Sequence, residues 1–111
     1  MEELMKGDIL VIPFPFSDLS NSKRRPAMII AKLKGDDLIL CQITGQERFD
    51  AYSEEILPTD FISGTLDKPS MVRPNRIFTA DKSIVLRKIG SLKKETIQRI
   101  QKRLVQIIEQ N

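Results

Sequence analysis

Three blocks of this 111-residue sequence carry groups suited to handling a phosphodiester. Lys23-Arg24-Arg25 is a cationic run directly before the apolar stretch Pro26-Ala27-Met28-Ile29-Ile30-Ala31. Thr44 closes a second apolar stretch that begins at Leu38, just before Gly45, and Arg73 and Arg76 are two of the few charges in the segment Ser70 to Ala80. Arginine presents a planar fork that matches two phosphate oxygens and keeps its charge at any ordinary pH. It is therefore suited to holding negative charge that builds on phosphorus, where one preorganised donor is typically worth about 3 to 4 kcal/mol of barrier. It is a poor proton acceptor, so the chemistry it suits best is one in which the substrate brings its own nucleophile, as an RNA 2′-hydroxyl does. A threonine hydroxyl at a strand end can donate to a phosphate oxygen. Arg73 and Arg76 can hold further phosphates, and Phe16 can stack on a base. Each feature also has an ordinary structural use: a charged strand edge, a threonine packed in a sheet, a phenylalanine in a core.

Absences narrow the field further. The sequence has no histidine, which removes Ser-His-Asp and Cys-His sites, histidine-based metal sites and nucleases that use paired histidines as acid and base. No phosphate-binding glycine loop is present. Asp36-Asp37 follows Gly35 in a turn signal, where aspartates are expected for backbone reasons, and no close carboxylate cluster offers a Mg²⁺ site. We therefore expect no metal and no cofactor. The single cysteine, Cys41, allows no internal disulfide and suits a reducing, cytoplasmic setting. The net charge of +3 is distributed unevenly: residues 1–34 carry six basic and four acidic side chains, 35–68 two and eight, and 69–111 ten and three. An acidic middle between basic ends can fold into opposed faces, one of them able to bind phosphates.

The elements that must position these groups are mostly strands. Length and composition fit one globular domain over residues 1–111, and no apolar run approaches the ~18 residues of a membrane helix. Ile9 to Phe14 reads as a buried strand, Pro15 to Arg25 as a long loop, Pro26 to Ala31 as a second strand and Leu38 to Thr44 as a third, entered through a turn at Lys34 to Asp37. Ser53 to Leu57 suggests a short fourth strand, and Pro58 to Ile62 a helical turn terminated by Gly64. Ser70 to Ala80 is extended chain in which Pro74 demands an edge or a bulge, and Ser83 to Gly90 is a last strand. From Ser91, a plausible N-cap, the period changes: Ile97, Ile100, Leu104, Ile107 and Ile108 form one helical stripe, with Lys93, Lys94, Arg99, Lys102 and Arg103 on the solvated face. Several short strands followed by one packing helix predict a small antiparallel barrel or half-barrel.

Longer blocks carry a family resemblance. Gly7 through Asp18, Lys23-Arg24-Arg25-Pro26-Ala27-Met28-Ile29-Ile30 and Gln42-Ile43-Thr44-Gly45-Gln46, in this order and spacing, closely resemble the MazF/PemK toxins of bacterial type II toxin-antitoxin systems. The block from Asp60 to Gly64, Ser70 to Pro74 and the C-terminal helical region look similar to the same family. The resemblance implies a mainly β fold, an SH3-like small barrel of antiparallel strands with a C-terminal α-helix, MazF/PemK/CcdB-like, filling residues 1–111 and assembled as a homodimer. It implies a sequence-selective, metal-independent endoribonuclease that cleaves single-stranded RNA and leaves a 2′,3′-cyclic phosphate and a 5′-hydroxyl. The family's catalytic arginine corresponds to Arg25 and its catalytic threonine to Thr44. Lys23, Arg24, Phe16, Gln46, Arg73, Asn75 and Arg76 fall to RNA binding. An Arg-x-Asp element of PemK-type members becomes Arg73-Pro74-Asn75; asparagine cannot act as acid or base, which leaves the proton-transfer groups open, with Glu47 a candidate base.

The partner implied is a MazE-like antitoxin with an acidic, disordered tail that folds along the basic groove and competes with RNA. A second reading stays open at this point: a non-catalytic module that binds nucleic acid or antitoxin, or a gyrase-directed toxin like CcdB.

Overall fold

The computed structural model describes residues 3–15, 22–45 and 50–110. Seven strands form one sheet in the order β4-β6-β3-β2-β1-β7-β5, with every neighbouring pair antiparallel. The strands are β1 (Asp8–Pro15), β2 (Ser22–Lys32), β3 (Asp37–Gly45), β4 (Glu54–Ile56), β5 (Phe61–Gly64), β6 (Ser70–Asp81) and β7 (Arg87–Leu92). The one α-helix among the described residues, α1, spans Lys94–Glu109. No helix among the described residues is long and apolar enough to cross a membrane.

The connectivity forces the sheet to curl. β4 and β5 lie at opposite edges, so in a flat sheet they would stand about 29 Å apart, six spacings of ~4.8 Å. Yet Phe61 follows Ile56 after only the turn through the 3₁₀ helix Pro58–Asp60, and five residue steps reach at most about 18 Å. The two edges must approach, and they do: Ile56 and Phe61 join the same buried cluster as Ile9, Met28, Cys41, Ile43, Val72 and Leu92. Ile100 of α1 completes this inner core. The other face of the sheet buries Leu10, Ile12, Ala27, Ile29, Leu38 and Leu40 beneath Leu4 and Val85.

Several local expectations are corrected. β2 begins at Ser22, so Lys23, Arg24 and Arg25 belong to a strand rather than to the end of a long loop; pairing of Phe14 with Lys23 and Ile12 with Arg25 overrides their polar character. Phe61–Gly64 is a strand, and Gly64 (φ +69°) is required less as a helix stop than because a Cβ there would meet the Ile89 carbonyl oxygen at 2.0 Å. The last strand starts only at Arg87, after a 3₁₀ turn at Lys82–Ile84, and continues through Leu92. Ser91 is therefore a strand residue, donating to Asp8, and Lys93 takes the N-cap position. On α1, Ile100 is buried while Ile108 is 67% exposed, so the apolar stripe runs past the end of the core. Pro74 falls where expected, at a bulge: between the pairs Cys41↔Ile77 and Gln42↔Arg73 the register shifts, and Pro74, Asn75 and Arg76 have no partner on β3.

Candidate active site

β2 and β3 bring Arg25 and Thr44 together. Their paired register ends at Ala27 and Gln42, and Arg25 and Thr44 each lie two residues beyond that last pair, where the two strands reach the rim of the sheet. On its other side Arg25 faces Ile12 of β1, a fully buried residue, which fixes the base of the arginine on rigid sheet. Arg25 is half-buried and Thr44 is 8% exposed.

Both residues line one cleft of about 770 Å³ at the rim of the sheet. Among the described residues Lys23, Arg24, Lys68 and Arg87 line it too, with Asp67 as the one carboxylate, and Val11, Ile43, Leu66 and Ile89 form its apolar floor. Five cations against one acid make a strongly positive concavity, and clefts with low-dielectric walls focus such a field. Among the described residues no group of three or more His, Cys, Asp or Glu side chains is placed to hold a metal ion. What this arrangement can do is bind an anionic chain, hold charge on a phosphoryl oxygen with a guanidinium and a hydroxyl, and exclude water from one side.

The uneven charge of the sequence resolves into ion pairs. Glu54 takes Arg99 at 3.1 Å and Arg103 at 3.9 Å, Asp60 takes Arg99 at 3.7 Å, and Asp50 takes Arg73 at 2.9 Å. Acidic groups of the middle segment thus neutralise basic groups of β6 and α1, none of which lines the cleft. This corrects the expectation that Arg99 and Arg103 belong only to a solvated helix face: Arg99 also donates to the Glu55 carbonyl at 2.8 Å, and Arg103 donates to the Ala51 carbonyl and lies over the Tyr52 ring.

Of the remaining predicted site residues, Asn75 and Arg76 are exposed on the β6 bulge, and Arg76 lines a different groove with Phe14, Gln42 and Phe78. Arg73 stands across from Gln42, outside the cleft lining and 12% exposed at its side chain. Phe16, Gln46 and Glu47 lie outside the described residues. Lys68, Arg87 and Asp50 carried no local signal in the sequence; only the curl of the sheet brings the first two to the cleft. Cys41 is buried in the inner core, and burial pushes its thiol up to about 12, so it is inert packing rather than a nucleophile.

A curled antiparallel sheet with a C-terminal helix and a cationic cleft at its rim defines a small barrel-like fold. Residues 5–108 match the family described as PemK-like, MazF-like toxin of type II toxin-antitoxin system, and the chain belongs to that family. Solved structures agree on the fold. An endoribonuclease in complex with its cognate antitoxin, from a mycobacterial species, is 16% identical over 98% of this chain and 98% of its own, with a TM-score of 0.74. An endoribonuclease from a mycobacterial species is 17% identical over 97% and 93%, with a TM-score of 0.71, and the Mycobacterium tuberculosis toxin MazF-mt6 is 18% identical over 92% and 98%, with a TM-score of 0.66. No curated protein sequence matches the chain.

Proposed function

We propose that this protein is the endoribonuclease toxin of a type II toxin-antitoxin system, cutting single-stranded RNA sequence-selectively and without a metal in the cytoplasm. The observation that carries the reading is that Arg25 and Thr44 line one cation-rich cleft. The RNA 2′-hydroxyl attacks its own phosphorus, the bond to O5′ breaks, and a 2′,3′-cyclic phosphate and a 5′-hydroxyl result. The proton lost at O2′ is matched by one gained at O5′, so no further reactant is consumed. Arg25 grips the non-bridging oxygens as charge builds on them, and Thr44 donates to the same phosphate. Neither moves the protons; Glu47 is the candidate base that the sequence offers. Lys23, Arg24, Lys68 and Arg87 hold the RNA chain through its phosphates.

Family membership and the charge of the cleft support the same partners. An acidic antitoxin tail occupies the groove in place of RNA, as complementary charge favours. The apolar groove of about 440 Å³ that contains Phe14, Phe78, Ile77 and Ile84, the last two 44% and 37% exposed, supports a homodimer in which a second copy covers it.

Purified protein is expected to cleave single-stranded RNA in EDTA and to leave cyclic-phosphate and 5′-hydroxyl ends. Arg25→Ala and Thr44→Ala are each expected to slow cleavage by about a hundredfold or more with thermal unfolding unchanged. Full cleavage by both variants defeats the mechanism. RNA binding by the wild type without any product favours the binding-module reading instead.

A further inference from the structure

Arg73 is not a free surface cation. It stands across from Gln42 on β6, with Met71 across from Thr44, so by strand alternation Arg73 and Thr44 share a face, one diagonal place apart. Such diagonal neighbours lie about 7 to 8 Å from each other, within reach of a long side chain such as arginine. The Arg73 side chain is 12% exposed, and its buried Nε makes no hydrogen bond among the described residues. What holds its guanidinium is Asp50, whose Oδ2 accepts from Nη2 at 2.9 Å. The other carboxylate oxygen, Oδ1, accepts from the Tyr52 N–H, the Ser53 N–H and the Ser53 hydroxyl, each at 2.9 Å. Asp50 is thereby locked in a tight turn. That turn is in turn fastened to α1, because Arg103 donates to the Ala51 carbonyl and covers the Tyr52 ring, while Arg99 binds Glu54 and the Glu55 carbonyl.

We propose that Asp50 is a positioning residue: its carboxylate, anchored through the 50–55 turn to α1, holds the Arg73 guanidinium beside Thr44 so that Arg73 binds the RNA phosphate next to the one that is cut. This rests on the ribonuclease reading and deepens it by assigning a neighbouring phosphate subsite. The opposite role, in which Asp50 merely quenches the charge of Arg73, makes the reverse prediction for binding. Asp50 is itself no general acid: partial burial opposes its ionisation, but the hydrogen bonds from Tyr52, Ser53 and Arg73 outweigh this and hold the carboxyl down at about 2.

The test uses the full chain and the RNA sequence that the wild type is found to cut, made uncleavable by a 2′-deoxy substitution at the scission site. Asp50→Asn keeps an oxygen for the Tyr52 and Ser53 N–H groups and removes the charge that holds Arg73. It is expected to weaken oligonucleotide binding, and raise KM, about tenfold, the scale of one charge-assisted hydrogen bond, with a much smaller change in kcat. In an Arg73→Ala background the same substitution is expected to have no further effect, and Asp50→Glu is expected to restore part of the binding. The ¹⁵N-detected guanidinium signal of Arg73, sharp in the wild type, is expected to broaden in Asp50→Asn. Tighter binding by Asp50→Asn, or a loss that adds fully to that of Arg73→Ala, overturns the proposal while leaving the ribonuclease reading intact. A wild-type protein that cuts no RNA overturns both.

Discussion

The charge of the cleft sets a measurable dependence of RNA binding on salt. Among the described residues five cations line it, Lys23, Arg24, Arg25, Lys68 and Arg87, with Asp67 as the one carboxylate. For single strands each neutralised phosphate contributes about −0.7 to the slope of log K against log salt concentration, so four to five effective contacts predict a slope of roughly −3. Between 50 and 200 mM salt, affinity should therefore fall roughly 60-fold. Arg87→Ala removes one contact without touching Arg25 or Thr44, and should make the slope shallower by about 0.7. Fluorescence anisotropy with a labelled oligonucleotide, uncleavable by 2′-deoxy substitution, measures both quantities. A wild-type slope near zero, or an Arg87→Ala slope equal to that of the wild type, would refute the placement of RNA in this cleft.

Three further outcomes follow from the packing. Asp8 is 2% exposed and accepts from the Met5 N–H at 2.8 Å and the Ser91 hydroxyl at 2.7 Å while pairing with Lys88 at 3.3 Å; Asp8→Ala strands these donors and should cost about 3 kcal/mol, read as a fall in Tm of roughly 10 °C or more. The folded-state pKa of Asp50, about 2, lies below its ordinary 3.8, so its ionised form stabilises the fold above about pH 4 and that contribution is lost as pH falls toward 2. Because solvent reaches the carboxylate, the loss should be about 1 kcal/mol, and urea midpoints should fall more steeply from pH 4 to pH 2 in the wild type than in Asp50→Asn. If the proposed homodimer forms across the apolar groove, Ile77→Lys, which places a charge there beside Phe78, should leave a monomer of unchanged Tm at low concentration, as sedimentation would report.

Local patterns in the sequence carried much of this structure. The apolar runs of β1, β2 and β3, the glycine turn that joins the latter two and the helical period of α1 are all properties of short windows, and each window falls inside its element, although β2 begins four residues earlier, at Ser22, and α1 starts at Lys94. Arg25 and Thr44 could be singled out because each sits at the end of such a run. What short windows do not contain is the closure of the sheet. Phe61–Gly64 has no strand-like alternation and becomes β5 only because Gly64 and Gly90 let its backbone approach β7 closely. Lys23 and Arg24 look like loop residues until Phe14 and Pro13 pair with them. Asp50 and Arg73 are 23 residues apart, and nothing near either one announces the other. Arg73 and Arg76 look equivalent in the sequence, yet the register shift at Cys41/Gln42 separates them, leaving one beside Thr44 and the other in the apolar groove. Long-range pairing decides all of these, so they became legible only in three dimensions.

The central claim is that one guanidinium and one hydroxyl act on the same phosphate, and a double-mutant cycle on cleavage rate tests it most directly. Groups that stabilise one transition state as a unit are strongly non-additive. Arg25→Ala and Thr44→Ala should each slow single-turnover cleavage by about a hundredfold or more, and the double variant should be scarcely slower than the worse of the two. Rate losses that multiply in full would mean that Arg25 and Thr44 work independently, and the site described for this cleft would be wrong.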